Sequence, residues 1–411
     1  MKILHVVHCY APSRGGSQWL TQQLAEGCVR RHGDTATVFT TNATNTASFW
    51  GGNFPLLPVG SESINGVTVR RFAFSTRLRL LRMAAASLAY RLRLPGNDRL
   101  RTDYQGPIVP GLPAAIAASG AEVVFATAFP LRHMYDALAG ARQAGIPLVY
   151  LGALHLDDHW GYDRAQIYRA IAQCNVYIAH TAAEREYLQT RGIAADKLVE
   201  IGAGVDAGRF ATADGARLRE KLGLGNRPVI GTVGKQVERK RFDVLLAAMT
   251  QVWATHPDAA LVIAGAAGPS TAELAAAAAR LNADRPGRVV LLTDFAEADK
   301  PDLLAALDVF VLASGLESFG IAFVEAWACR RPVIGVRAPA IASLIADGHN
   351  GLLTPYGDAA ALAAAIGALL AAPELRQALG EAGYAQVQQR YTWDAVVDAV
   401  RSVYSRVLAT P

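Results

Sequence analysis

The stretch Ser314-Gly-Leu-Glu317-Ser318-Phe319-Gly320-Ile321-Ala-Phe-Val-Glu325-Ala-Trp-Ala-Cys329-Arg-Arg-Pro332-Val-Ile-Gly335 decides the reading of this chain. The apolar run 308–312 before it reads as a buried strand, 321–329 as a short helix, and 333–336 as a second strand. Glu317 then lies in the loop and Glu325 on the helix, eight residues further on. A strand, loop and helix with Gly320 at the helix start aims free backbone N–H groups and the positive dipole end at an anion in the loop. The segment therefore predicts a phosphate cradle flanked by two acids. One acid can grip hydroxyls of a sugar beyond the phosphates, and the other can accept both hydroxyls of a ribose.

Working outward, the 411 residues are 52% hydrophobic and 18% charged, enough to bury two sizeable cores. Strand candidates alternate with helical patterns twice: 3–7, 37–40, 67–71, 123–127, 148–151, 176–179 and 198–201, then 229–233, 260–264, 289–292, 309–312 and 333–336. This predicts an α/β chain of two doubly wound, Rossmann-like domains, 1–206 and 207–390, with ligands beyond the carboxyl ends of the strands and the two edges facing across a cleft. Residues 391–411 are expected to form a closing helix. Cys9, Cys28, Cys174 and Cys329 are far apart and form no Cys-x-x-Cys pair, which predicts a reduced, cytoplasmic setting without structural zinc. The apolar run 3–7 is too short for a signal-peptide core or a membrane span. The net charge of +5 suits anionic ligands, and no recognised nucleic-acid module accompanies it.

Three further segments lie at predicted strand ends. Gly234-Lys235-Gln-Val-Glu-Arg-Lys240-Arg241-Phe-Asp243 follows strand 229–233, so Lys235 and Lys240 stand where a diphosphate would sit and where negative charge develops when a sugar–phosphate bond breaks. Gly15-Gly16 follows the first strand, where paired glycines let a backbone approach a ligand. His155-Leu-Asp157-Asp158-His159 follows strand 148–151; His155 is a candidate functional residue, His159 its rival, and the four together a candidate metal cluster with no further ligand in view. Gly202-Ala-Gly204-Val-Asp-Ala207 matches the dinucleotide pattern literally. No helix is expected to open at once after it, and no acid closes a second strand, so a nicotinamide enzyme is not indicated.

The Glu317-x7-Glu325 pattern, with Ser314, Phe319 and Gly320, resembles the signature of retaining glycosyltransferases of family 4, also called glycosyl transferases group 1, which have the GT-B fold. The resemblance extends to Gly15-Gly16, the 234–243 loop and Tyr391-Thr-Trp393, where the family's last helix crosses back to the first domain. It implies a metal-independent hexosyltransferase that uses a nucleoside diphosphate sugar and a saccharide or lipid-linked acceptor in cell-surface polysaccharide or glycolipid synthesis. It also implies roles: Glu317 and His155 at the reacting sugar, Lys235 and Lys240 on the diphosphate, Glu325 on the ribose, and Gly15, Gly16, Ser318, Phe319, Gly320 and Ile321 lining the donor. A sugar-nucleotide epimerase of the same fold and a non-catalytic sugar-nucleotide-binding subunit are the alternatives. Arg241 and Arg330 stand where the family usually has glycine, Lys235 where arginine is common, and 293–295 where the family has a glycine-containing turn. Asp294, if near the base, would suit guanine.

Residues 77–101 hold seven arginines, 77, 79, 82, 91, 93, 99 and 101, against one acid, Asp98. On a helical wheel Leu81, Leu88 and Leu92 share a face opposite Arg79, Arg82 and Arg93. The span reads either as an ordinary helix packing its leucines on the first domain or as a peripheral contact with an anionic membrane surface. Residues 94–111, rich in turn formers, are expected to form a long acceptor-side loop.

Overall fold

The computed structural model describes residues 1–13, 15–155, 158 and 160–409. They form two units, 1–203 with the closing segment from Trp393, and Gly204–Thr392.

In the first unit the strands are β1 (Lys2–Val6), β2 (Thr35–Thr41), β3 (Gly60–Ile64), β4 (Val67–Phe72), β5 (Val123–Thr127), β6 (Leu148–Leu151), β7 (Val176–Ala179) and β8 (Leu198–Glu200). They make one sheet in the order β3-β4-β2-β1-β5-β6-β7-β8, parallel except for β3. Every residue of β5, β6 and β7 is buried, because helices cover both faces of a parallel sheet and the central strands read as unbroken apolar runs. Polar, exposed β3 is the antiparallel edge. It is folded back by Asn65-Gly66, both at positive φ (50° and 82°), the pair that a tight hairpin turn requires.

The closing helix Trp393–Ala409 completes this unit. Val396, Val400, Val403 and Tyr404 pack into the cluster formed by Ile3, Leu20, Leu24, Phe125 and Val149. Gly27 allows the helix to lie close, since a Cβ there would come within 2.5 Å of Val397. Arg401 then reaches Asp34 at 2.7 Å, and Asp34 also holds the N-terminal ammonium at 2.8 Å.

The second unit has β9 (Val229–Val233), β10 (Ala260–Gly265), β11 (Val289–Thr293), β12 (Val309–Val311), β13 (Val333–Val336) and β14 (Leu352–Thr354), all parallel, in the order β11-β10-β9-β12-β13-β14. The chain leaves β9 toward β10 on one side and returns to β12 on the other. The loops after β9 and β12 therefore part at the sheet's topological switch point, where a crevice opens beyond the strand ends.

Three expectations are corrected. A helix, Ala207–Ala211, does open directly after the Gly-x-Gly stretch, because the Asp206 side chain caps it by accepting from the Arg209 N–H at 3.1 Å. That helix belongs to the second unit while β8 is the edge of the first unit's sheet, so the arrangement is not a dinucleotide-binding strand-turn-helix. The turn-rich stretch 94–111 contains the helix Asn97–Gln105, anchored by buried Arg101, which pairs with Asp98 and lies over the rings of Tyr90 and Trp160 at 4.7 and 5.1 Å. Helix Arg79–Arg91 buries only Ala86 and Ala89 and exposes its leucines, the reverse of an ordinary surface helix.

Candidate active site

The loop after β9 is held from below. Gly234 donates to the Ala264 carbonyl at 2.9 Å, and fully buried Gln236 donates from Nε2 to Thr293 Oγ1 at 3.1 Å. A short turn, Glu238–Lys240, then feeds helix Phe242–Thr255. The turn aims Lys240 across the switch point, where Nζ lies 2.6 Å from Glu317 Oε1. Arg239 braces the same place, donating to the Leu316 carbonyl at 2.9 Å with its guanidinium 3.6 Å from the Glu317 carboxylate. A side chain at Gly234 would press on the lysine, since a Cβ there comes within 3.1 Å of Lys240 Cε. Lys235 is exposed in the same loop and has no ion pair among the described residues.

The loop after β12 carries the acid. Buried Ser314 accepts from the Leu316 N–H at 3.3 Å, and Gly315 lies so close beneath the Tyr356 ring that a Cβ would sit 2.8 Å from it. Phe319 is buried with its ring edge-on to Tyr391 at 5.5 Å. Ser318 is half-buried. Gly320, at φ 92°, turns the chain into helix Ile321–Ala328; only glycine adopts that angle without strain, and a Cβ would also meet Phe323 at 2.9 Å. In the first turn of this helix the Phe323 amide donates to the Gly320 carbonyl at 2.9 Å, the Ile321 and Ala322 amides precede any carbonyl the helix itself can offer, and Ile321 is exposed there.

Glu325, one turn further along, is buried and pairs with Lys300 at 2.6 Å; Lys300 also reaches Glu297 at 3.3 Å. Burial raises the Glu325 carboxyl above the usual range, with the Lys300 ammonium pulling it back. Burial also works against the ammonium of Lys300, but the carboxylates of Glu325 and Glu297 outweigh it and hold that group above the ordinary lysine range. The second oxygen of Glu325, Oε2, is buried and accepts no hydrogen bond among the described residues. An unmet buried acceptor costs about 1–3 kcal/mol, so a hydroxyl donor brought to it is favoured.

Lys300 has no motif to mark it: the Glu297-x-x-Lys300 pair reads only as a helix-start pair, and its partner is twenty-five residues away. Arg239 lay within a visible basic run, where charge alone does not tell which member points at the acid. Both arginines at usual glycine positions keep the glycine-like backbone. Arg241 (φ 51°) is held by a two-pronged pair with Asp243 and by the Tyr356 ring at 5.2 Å, and Arg330 (φ 56°) by Glu381 and the Tyr384 ring at 3.7 Å. Asp294 also has positive φ, 53°, and one of its oxygens is committed to the Ala267 N–H at 2.8 Å.

Gly15, Gly16 and His155 belong to the first unit. Gly15 is extended backbone before helix Gly16–His32, and a Cβ there would strike the Gln18 side chain at 2.4 Å. A Cβ at Gly16 would meet nothing within 4 Å, so its want of a side chain leaves space rather than relieving a clash. His155 is exposed with its ring edge-on to Tyr162 at 5.2 Å, and its carbonyl accepts from the Asp158 N–H at 3.0 Å. Asp157 and His159 of the candidate metal cluster lie outside the described residues. Among the described residues no group of three or more His, Cys, Asp or Glu side chains is arranged to hold a metal ion.

A doubly wound pair of units, the second with Lys240 set against the first acid of a Glu-x7-Glu helix start, has the GT-B fold. Residues 214–386 match the family model described as Glycosyl transferases group 1. A D-inositol 3-phosphate glycosyltransferase of Segniliparus rotundus is 33% identical over 244 residues, covering 58% of this chain and 54% of that protein. The protein of the same name from Acidothermus cellulolyticus is 29% identical over 371 residues, 78% of this chain and 80% of the relative. The chain spans about half the length of most of the curated relatives it matches. Among solved structures, Anabaena HepE in complex with UDP superposes with a TM-score of 0.74 at 21% identity, covering 99% of this chain and all of that one, a likeness of fold.

Proposed function

We propose that this protein transfers a hexose from a nucleoside diphosphate sugar to a saccharide or lipid-linked acceptor with retention at the anomeric carbon and without a metal ion, in cell-surface polysaccharide or glycolipid synthesis. The observation that carries the reading is the meeting of Lys240 and Glu317 at 2.6 Å at the switch point of the second unit. Donor arrival exchanges that pair. Lys240 moves to the diphosphate, where negative charge grows as the sugar–phosphate bond breaks, and Glu317 turns to hydroxyls of the hexose. Exposed Lys235 adds a second cation, and the amides at 319–321 face the donor. Glu325, oriented by Lys300, accepts the ribose hydroxyls on Oε2. The departing phosphate takes the acceptor proton on the face it leaves, so no protein base is required.

His155, Gly15 and Gly16 are the first unit's contribution to the reacting sugar and the donor. The four cysteines, all buried as free thiols, favour a cytoplasmic setting. The inositol 3-phosphate in the names of two relatives and the UDP bound by HepE set the ligands to try first. The test is a thermal-shift screen against UDP-, GDP- and ADP-sugars, followed by NMR of the anomeric configuration of the product. A ligand that binds only the native protein raises its melting temperature. No shift with any of them, or a product of inverted configuration, overturns the reading.

A further inference from the structure

Helix Arg79–Arg91 of the first unit wears its apolar side outward. Leu80, Leu81 and Leu88 are 61, 66 and 58% exposed, and Leu92 just beyond is 60% exposed. At about 3.6 residues per turn, Leu80, Ala84, Leu88, Leu81 and Ala85 share one face, while buried Ala86 and Ala89 lie opposite with half-buried Arg79 and Arg82. Those two arginines are spent on backbone, Arg79 donating to the Trp50 carbonyl and Arg82 to that of Arg77. Arg77, Arg91 and Arg93 flank the stripe, exposed and without an acidic partner among the described residues. No Asp or Glu occurs anywhere from 63 to 97. The Arg79 bond sets Trp50, 39% exposed, beside the start of the helix.

We propose that this face docks on a bilayer bearing anionic headgroups, with the leucines at the headgroup–acyl boundary and Arg77, Arg91 and Arg93 on lipid phosphates. Charge selects this occupant. A second copy would bring arginine rim against arginine rim with no acid between, whereas an anionic bilayer meets an apolar stripe and a cationic rim together. An exposed tryptophan beside such a stripe suits the membrane interface, where one end of the indole is apolar and the other wet. The proposal is independent of the donor chemistry, because binding to lipid is measured with no donor present.

The test is co-sedimentation of the full chain with vesicles of phosphatidylcholine alone and of equimolar phosphatidylcholine and phosphatidylglycerol, at low and raised salt. The wild type is expected to sediment with the anionic vesicles, to stay free of the neutral ones, and to be released by salt. Leu81→Ser with Leu88→Ser, both solvent-facing and so harmless to the fold by circular dichroism, should cut partitioning at least tenfold. Arg91→Gln and Arg93→Gln should each cut it about fivefold and flatten the salt dependence. Failure of the wild type to bind anionic vesicles at low salt overturns the proposal, and so does binding that the leucine variants leave intact. A dimer in solution that the leucine variants dissolve, with vesicles ignored, assigns the face to a second copy instead.

Discussion

Replacing Lys300 by Met keeps most of the stem's volume and removes the charge opposite Glu325. Both side chains are nearly buried, at 15 and 11% exposure, so the variant leaves a carboxylate without a partner where water cannot solvate it. Breaking such a pair costs about 3–5 kcal/mol. The carboxyl can escape by taking a proton, and the escape sets a ceiling. From its ordinary value of 4.5, protonation costs about 4.8 kcal/mol at pH 8 and about 1.4 kcal/mol at pH 5.5, at 1.36 kcal/mol per unit. The sign follows from a carboxyl pKa raised in the folded state: the deficit is full above the folded value and fades as pH falls toward the unfolded one. We therefore expect a loss of about 3–4 kcal/mol at pH 8 that shrinks to at most about 1.4 kcal/mol at pH 5.5. Two units need not unfold together, so the assay is amide exchange within helix Ile321–Ala328 across a urea series. Glu325→Gln added to Lys300→Met should restore most of the loss at pH 8. A deficit equal at both pH values would assign the effect to lost packing, and one below about 1 kcal/mol at pH 8 would mean that the pair is solvated.

Glu325→Gln alone should weaken nucleoside diphosphate binding by about 1.5–3 kcal/mol, the worth of a hydrogen bond to a charged acceptor, as read by calorimetry; unchanged affinity removes Glu325 from the ribose. Lys240→Ala and Lys235→Ala should each slow turnover by about 10² or more, with activity indifferent to EDTA; loss in EDTA that a divalent ion restores would revive the reading of His155 and Asp157 as metal ligands. Arg241→Gly should be at least as stable as Arg241→Ala in thermal melts. Both lose the Asp243 and Tyr356 contacts, but only alanine keeps the cost of about 1–2 kcal/mol for a left-handed backbone.

Most strands were legible because parallel central strands are apolar on both faces and stand out as short runs between helical patterns. Strands β3 and β14 were not: the Ser-Glu-Ser core of β3 has no apolar face to show, with the Asn65-Gly66 turn the available signal, and β14 is only three residues long, Leu352–Thr354. The acids of the site could be placed on loop and helix from the flanking apolar runs and Gly320, whereas Lys300 could not, because an ion pair between distant segments leaves no periodicity. Helix Arg79–Arg91 marks another limit. Periodicity tells which residues share a face and is silent on which face meets the core, and here the small residues Ala86 and Ala89 went inward while the leucines did not. The departures at Arg241 and Arg330 were visible as substitutions for glycine, yet the ring and carboxylate that make a positive φ tolerable come from elsewhere in the fold.

The closing helix has a consequence for synthesis. Val396, Val400, Val403 and Tyr404 cover a face of the sheet that contains β1, which is translated long before them. Everything from Gly204 to Thr392 is translated in between, so the first unit waits with that face uncovered while the second folds. Nascent chains stalled before Trp393 should therefore hold a folded second unit together with a first unit that still binds chaperones.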